Sequence, residues 1–169
     1  MKKTGLIAVS LLVSTVSFVT QAEQCSVDNM EVIGQKAFID IEGFDSAYRA
    51  RIDTGATRTS LHAMNIEVID GVDELDANIG KEVRFVTGNE LGDYNQHQAE
   101  IVAVRRIRNS FGADIRYSVN FTLAHEGYEK TVEVNLRDRS KMTDKLLIGR
   151  DWLSCQYLVD VSQNPTTSS

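Results

Sequence analysis

Three histidines and two cysteines are all that this chain of 169 residues offers for soft-metal or thiol chemistry. Neither Cys25 nor Cys155 stands in a C-x-x-C pair, and no histidine lies close to either in sequence, so a thiolate nucleophile lacks an adjacent base. His125-Glu126 is not followed by a second histidine at the helical spacing of an H-E-x-x-H site, and no metal ligand set is expected. His62, His97 and His125 read instead as solvated histidines of polar loops. A G-x-x-x-x-G-K-S/T phosphate loop is missing as well, which leaves ATP without a visible home, and no cofactor is expected. The chain shows no internal repeat and no second domain.

Long apolar runs are also scarce, and the single one sits at the start. Lys2 and Lys3 precede an uncharged apolar stretch from Leu6 to Val19, and Thr20-Gln21-Ala22 offers small residues for a signal peptidase. Residues 1–22 therefore read as a signal peptide, and the protein is expected to be periplasmic or secreted. The rival is an uncleaved anchor, but the run is shorter than the roughly 20 residues of a spanning helix, so no stable membrane insertion is expected after cleavage. A lipid anchor at Cys25 is disfavoured by the charged and bulky residues of Ala22-Glu23-Gln24. Removing the leader leaves 147 residues, one ordinary domain over 23–162 followed by a polar tail, 163–169, expected to be disordered.

That mature part has 16 basic and 24 acidic residues, a net charge of −8. Such a balance argues against nucleic acid or an anionic membrane as a partner. Both cysteines survive cleavage, and an oxidising compartment favours a Cys25–Cys155 bridge, with two free or intermolecular thiols as the alternatives.

From Glu31 onward, short alternating apolar runs broken by glycine mark a small all-β domain. Ala37, Ile39 and Ile41 form one strand. After a turn at Gly43, Tyr48, Ala50 and Ile52 form a second that delivers Asp53 at its end. Further strands are expected over 81–87, 99–108, 117–123, 131–136, 146–148 and 158–161, with a polar loop at 88–93. A turn at Asn109-Ser110-Phe111-Gly112 joins Ile107 to Ile115, and a short helix is expected over 150–156.

The chemistry concentrates in Asp53-Thr54-Gly55-Ala56. A carboxylate at the end of a buried strand, followed by a hydroxyl residue and a glycine, suits a loop that must meet a second such loop. Gly55 lets backbone N–H groups face the carboxylate, and Thr54 can hydrogen-bond across to the partner loop. The plain alternative is an ordinary strand-ending turn in which Asp53 caps its own backbone.

A later segment, Leu146-Leu147-Ile148-Gly149-Arg150-Asp151-Trp152-Leu153, bears on that choice. Paired with D-T-G-A in one small β-rich chain, it resembles the retropepsin-like aspartic peptidases. More narrowly, Asp53 to Ala63, Asp138 to Met142 and Leu158 to Ser162 are similar to a bacterial group that carries the label ATP-dependent zinc protease. The resemblance implies a small closed barrel with one short C-terminal helix, in which Gly149 and Arg150 support the Asp53 loop. It also implies a flap hairpin over the cleft, placed by chain order at Asn109, Ser110, Phe111 and Gly112, where a plain surface turn is the alternative. The stretch 81–98 exceeds what a minimal retroviral enzyme needs and could cover the cleft. Thr57 and Arg58 stand where the retroviral pattern has acidic residues, so Arg150 is open to pairing with Asp151 or another acid.

Hydrolysis by this chemistry needs two carboxyl groups sharing one proton. The chain has no second D-T-G or D-S-G, and 147 residues leave no room for a second lobe. A two-fold homodimer that brings two Asp53 side chains together is the expected solution, with a peptide or protein as substrate. A silent binding module of the same fold is the alternative, since fold alone does not bring activity. Relatives of this group stand beside or are fused to glutamate-ligase-like proteins, which implies a role in peptide or amino-acid modification.

Overall fold

In the computed structural model, which describes residues 25–109 and 112–164, the alternation of apolar residues becomes a closed barrel. Its strands are β1 (Glu31–Gly34), β2 (Lys36–Ile41), β3 (Tyr48–Ile52), β4 (Thr59–His62), β5 (Met64–Val68), β6 (Glu82–Gly88), β7 (Tyr94–Glu100), β8 (Ala103–Asn109), β9 (Gly112–His125), β10 (Tyr128–Arg137), β11 (Leu146–Ile148) and β12 (Tyr157–Asp160). A four-residue helix, α1 (Arg150–Leu153), lies between the last two. The strand order β10-β4-β11-β3-β2-β9 closes on itself because β9 also pairs with β10, and β8 extends β9 outward as a hairpin.

Period-two burial makes the barrel. Ala37, Ile39 and Ile41 of β2 and Tyr48, Ala50 and Ile52 of β3 point inward, where they meet Leu61, Val119, Leu123, Val134, Leu136, Leu146 and Ile148. Trp152 of α1 is fully buried, stacks on Tyr157 at 4.9 Å between ring centres, and donates its indole N–H to Leu123 O at 3.3 Å. Each such aromatic side chain contributes on the order of 2–3 kcal/mol of burial free energy. The β9–β10 turn is two residues long, with Glu126 and Gly127 both at positive φ (48° and 89°), the geometry that matches strand twist in a tight hairpin.

The topology places the site. β3 and β11 run parallel, with Ile52 opposite Ile148, so Asp53 and Gly149 leave the barrel side by side. β4 runs antiparallel to β11 and enters from that same end at Thr59. At this end β1 and β12 form a separate parallel pair, with Glu31 opposite Tyr157. Cys25 and Cys155, whose Cα atoms are 5.0 Å apart, are joined through their sulfurs beside that pair.

Several local readings of the chain are corrected. The single strand expected over 99–108 is two strands, because Ile101 N–H donates to Lys81 O while Val102 N–H donates to Ser118 O, and the chain passes from one sheet to another. β4 shows no alternation because all four of its residues are buried. The stretch 81–98 belongs to a three-stranded sheet, β5-β6-β7. Tyr48 Oη meets Thr87 Oγ1 at 3.3 Å and Phe44 stacks on His97 at 3.8 Å, which anchors this sheet where β3 begins. Five residues of strand, about 16 Å, separate that point from Asp53. Of the tail expected to fray, Gln163 and Asn164 are held through Gln35, and residues 165–169 lie outside the described residues.

Candidate active site

Asp53 is half-buried at the mouth of the barrel, and its N–H donates to Ile148 O at 3.0 Å. Its Oδ1 accepts from Gly55 N (3.0 Å) and Ala56 N (3.2 Å), the self-capping of a strand-ending turn, and these two charge-assisted bonds also fix the carboxylate. No hydrogen bond among the described residues reaches Oδ2, so this oxygen keeps its accepting capacity. Thr54 and Gly55 are exposed at the rim.

A second layer braces the loop from behind. Arg150 N–H donates to Ala56 O at 2.9 Å, and Arg150 Nη2 donates to Thr57 Oγ1 at 3.0 Å. Arg150 therefore does not pair with Asp151; the hydroxyl that replaced the retroviral acid takes its guanidinium instead. Asp151 turns to Thr59, accepting from its N–H and from its Oγ1, both at 2.9 Å, and from Trp152 N at 3.0 Å. Thr59 Oγ1 also accepts Gly149 N–H at 3.2 Å. This hydroxyl thus joins three segments, with its donor and acceptor capacities both used. Thr59 and Asp151 were missed as site residues in the sequence. The signal available was the position of Asp151 immediately after Gly149-Arg150, read there only as a possible partner for arginine.

Gly149 is needed for closeness rather than for an unusual backbone. A Cβ there would lie 2.6 Å from the carbonyl carbon of Arg58, so only glycine lets the two segments touch. Arg58, fixed at its backbone, reaches outward to Glu133 of β10 at 3.5 Å. Glu133 in turn takes a fork of bonds from Arg105 of β8, at 2.7, 3.0 and 3.1 Å. Burial pushes the Glu133 carboxyl up, but the hydrogen bonds and charge of Arg105, helped by Arg58, outweigh it and hold the group below the usual carboxylate range.

Of the residues assigned to the flap, Asn109 and Gly112 pair with each other at the end of the β8–β9 hairpin, while Ser110 and Phe111 lie outside the described residues. The histidines are not solvated. His62 is fully buried, with Nδ1 accepting Arg139 N–H at 2.9 Å, so its proton sits on Nε2, which is buried without a partner. Burial, then the Lys145 and Arg139 charges against that of Asp138, lowers its pKa, the direction that favours the neutral ring which accepts the Arg139 N–H. His97 lies under Phe44, and His125 Nδ1 meets Phe38 O at 2.9 Å. No group of three or more His, Cys, Asp or Glu side chains among the described residues is arranged to hold a metal ion.

The sequence comparisons agree with this geometry. The family model described as RimB-like, retropepsin-like aspartic endopeptidase RimB, matches residues 32–168. The chain belongs to that family. This RimB-like chain is also 27% identical over 139 residues to a probable alpha-L-glutamate ligase of Shewanella halifaxensis, and 28% identical over 137 residues to one of Parasynechococcus marenigrum. Those alignments cover 81% and 76% of the chain but 30% and 28% of the ligases, so the chain spans less than a third of the curated relatives it matches. A solved structure from Legionella pneumophila, a DUF785 protein of unknown function, superposes with a TM-score of 0.63 at 25% identity, covering 81% of this chain and 98% of that one. The RimB-like assignment and this likeness fit the retropepsin barrel that β2, β3, β4, β9, β10 and β11 build.

Proposed function

We propose that the protein is an exported aspartic endopeptidase whose active unit is a homodimer, with Asp53 of each copy facing the other across a two-fold axis. One observation carries the reading. The chain presents a single carboxylate, fixed by two backbone N–H groups in an exposed, braced loop, and this chemistry needs two. In the assembled pair, like charges in contact share one proton. One Asp53 takes a proton from water as the water oxygen bonds to the scissile carbonyl carbon, and its mate gives a proton to the carbonyl oxygen. Collapse of the adduct breaks the C–N bond and releases an amine and a carboxylic acid.

The β8–β9 hairpin is the flap that closes over the bound peptide. Kinship with proteins named alpha-L-glutamate ligases points to glutamate-containing peptides as the first substrates to try, and the exposed Arg51 and Arg58 flanking the Asp53 loop suit acidic side chains. Export is supported by the Lys2-Lys3 leader and by the joined cysteines.

The test incubates the mature protein and its Asp53→Asn variant with a diverse peptide library at several pH values, with light scattering to read assembly. The expected result is cleavage by the wild type alone, both proteins being dimers. Equal products from both remove the enzyme reading, and peptide binding without cleavage by either leaves a silent binding module of the same fold.

A further inference from the structure

Among the described residues, β8 has no neighbour in its sheet apart from β9. Val104 of β8 packs against the core and β8 also contacts the Leu75–Asn78 turn; its polar tie to the barrel wall is Arg105, whose guanidinium forks onto Glu133 of β10 at 2.7 and 3.0 Å through Nη2 and at 3.1 Å through Nε. Three contacts to one carboxylate from two nitrogens of a planar donor set orientation as well as distance. The carboxylate is largely screened from water, with 17% of its side chain exposed against 39% for Arg105. Its other oxygen-side neighbour is Arg58, which follows the Asp53 loop directly. Arg58 is not free to drift, because its backbone packs on Gly149 and the next residue, Thr59, is gripped by Asp151.

We infer that Glu133 is a positioning residue that sets the β8–β9 hairpin relative to the Asp53 loop, by joining Arg105 of the hairpin to Arg58 of the floor. The inference rests on the flap reading above for its catalytic consequence, but not for its physical content. Glu133 need not touch substrate. It fixes a hinge point two residues into β8, from which the remainder of the hairpin extends. A neutral amide at this position keeps the shape but loses the charge and one of its two acceptors, so the fork and the Arg58 contact both weaken.

The test compares amide hydrogen exchange in the full mature protein, its Glu133→Gln variant and its Arg105→Gln variant at one pH. Exchange over 103–109 and 112–118 is expected to rise on the order of fivefold in each variant, with β2, β3 and β11 unchanged. The double variant is expected to add nothing to either single one. Steady-state cleavage of a peptide substrate is expected to show a raised KM with kcat less affected, because the group acts on closure and not on the reacting atoms. Equal exchange in wild type and Glu133→Gln overturns the inference whether or not the protein cuts peptides. Loosening that spreads to β2 and β3 overturns it as well, since the carboxylate then only stabilises the fold. A wild type without turnover, combined with hairpin-specific loosening in the variants, sinks the peptidase reading and supports the positioning role.

Discussion

Substituting Gly149 by alanine isolates the close approach on which the loop brace depends. Gly149 has φ −96° and ψ −177°, an extended backbone open to any residue, so the added methyl brings no conformational strain of its own. The difficulty is space. The new Cβ would lie 2.6, 2.8 and 2.9 Å from C, O and N of Arg58, all backbone atoms without a rotamer to change. Restoring ordinary contact near 3.5 Å requires the two segments to part by roughly 1 Å. Overpacking of this kind costs about 1–3 kcal/mol, and more where both sides are tied. They are tied here, by Gly149 N–H to Thr59 Oγ1 and by Arg150 N–H to Ala56 O. At about 3–4 °C per kcal/mol for a domain of this size, the melting midpoint of Gly149→Ala is expected to fall by roughly 3–12 °C in circular dichroism. The same displacement moves the Asp53 loop, and a misplacement of about 1 Å is enough to cost on the order of a hundredfold in turnover. Gly127→Ala is the matched comparison. Its φ is +89° and nothing lies within 4 Å, so it is expected to lose about 1–2 kcal/mol to backbone strain while leaving turnover unchanged. A Gly149→Ala protein that melts within about 1 °C of wild type would refute the reasoning.

Two further outcomes follow from buried groups. The pKa of His62 is lowered in the fold, so the unfolded chain binds its proton first; stability is constant above the unfolded value near 6.5 and falls as pH drops below it. His97 is lowered too, whereas the lowered carboxylates Glu133 and Asp138 act only in more acid solution, so urea midpoints at pH 7.5 and 5.5 are expected to differ less in His62→Gln than in wild type. An undiminished difference in the variant would show that His62 is not the group responsible. Replacing Cys25 and Cys155 together by serine removes a link across 130 residues of sequence and is expected to cost about 2–5 kcal/mol in urea denaturation, against no change if the link is dispensable.

How far the site could be read in the sequence follows from the range of the interactions. Asp53-Thr54-Gly55-Ala56 is legible because its bonds are local: Oδ1 takes amides two and three residues on. Ile148-Gly149-Arg150 is legible only through its resemblance to the retropepsin pattern, since the parallel pairing that sets it beside Ile52 and Asp53 leaves no local trace. The Thr59–Asp151 brace joins residues 92 apart and leaves no periodic trace. β4 escaped detection for a related reason, since a strand covered on both faces has no alternating pattern to show. His62 looked solvated because nothing in its neighbourhood of sequence announces that β6 and β7 are folded near the same end of the barrel. Glu133 likewise reads as one more surface acid until β8 brings Arg105 to it. Short-range backbone chemistry was visible, and side-chain contacts between segments far apart in the chain were not.

The parallel pairing of β1 with β12 has a consequence for how such a domain travels. The chain enters the pair at Glu31 and leaves it at Asp160, opposite Gly34, so entry and exit are separated by the length of a four-residue strand, roughly 10 Å. A unit with neighbouring entry and exit points can be spliced into or onto a longer polypeptide while asking little of the joints, because no connecting segment has to cross the body of the domain. A related stretch, 27% identical, makes up under a third of a probable alpha-L-glutamate ligase, a longer chain of which it is one part.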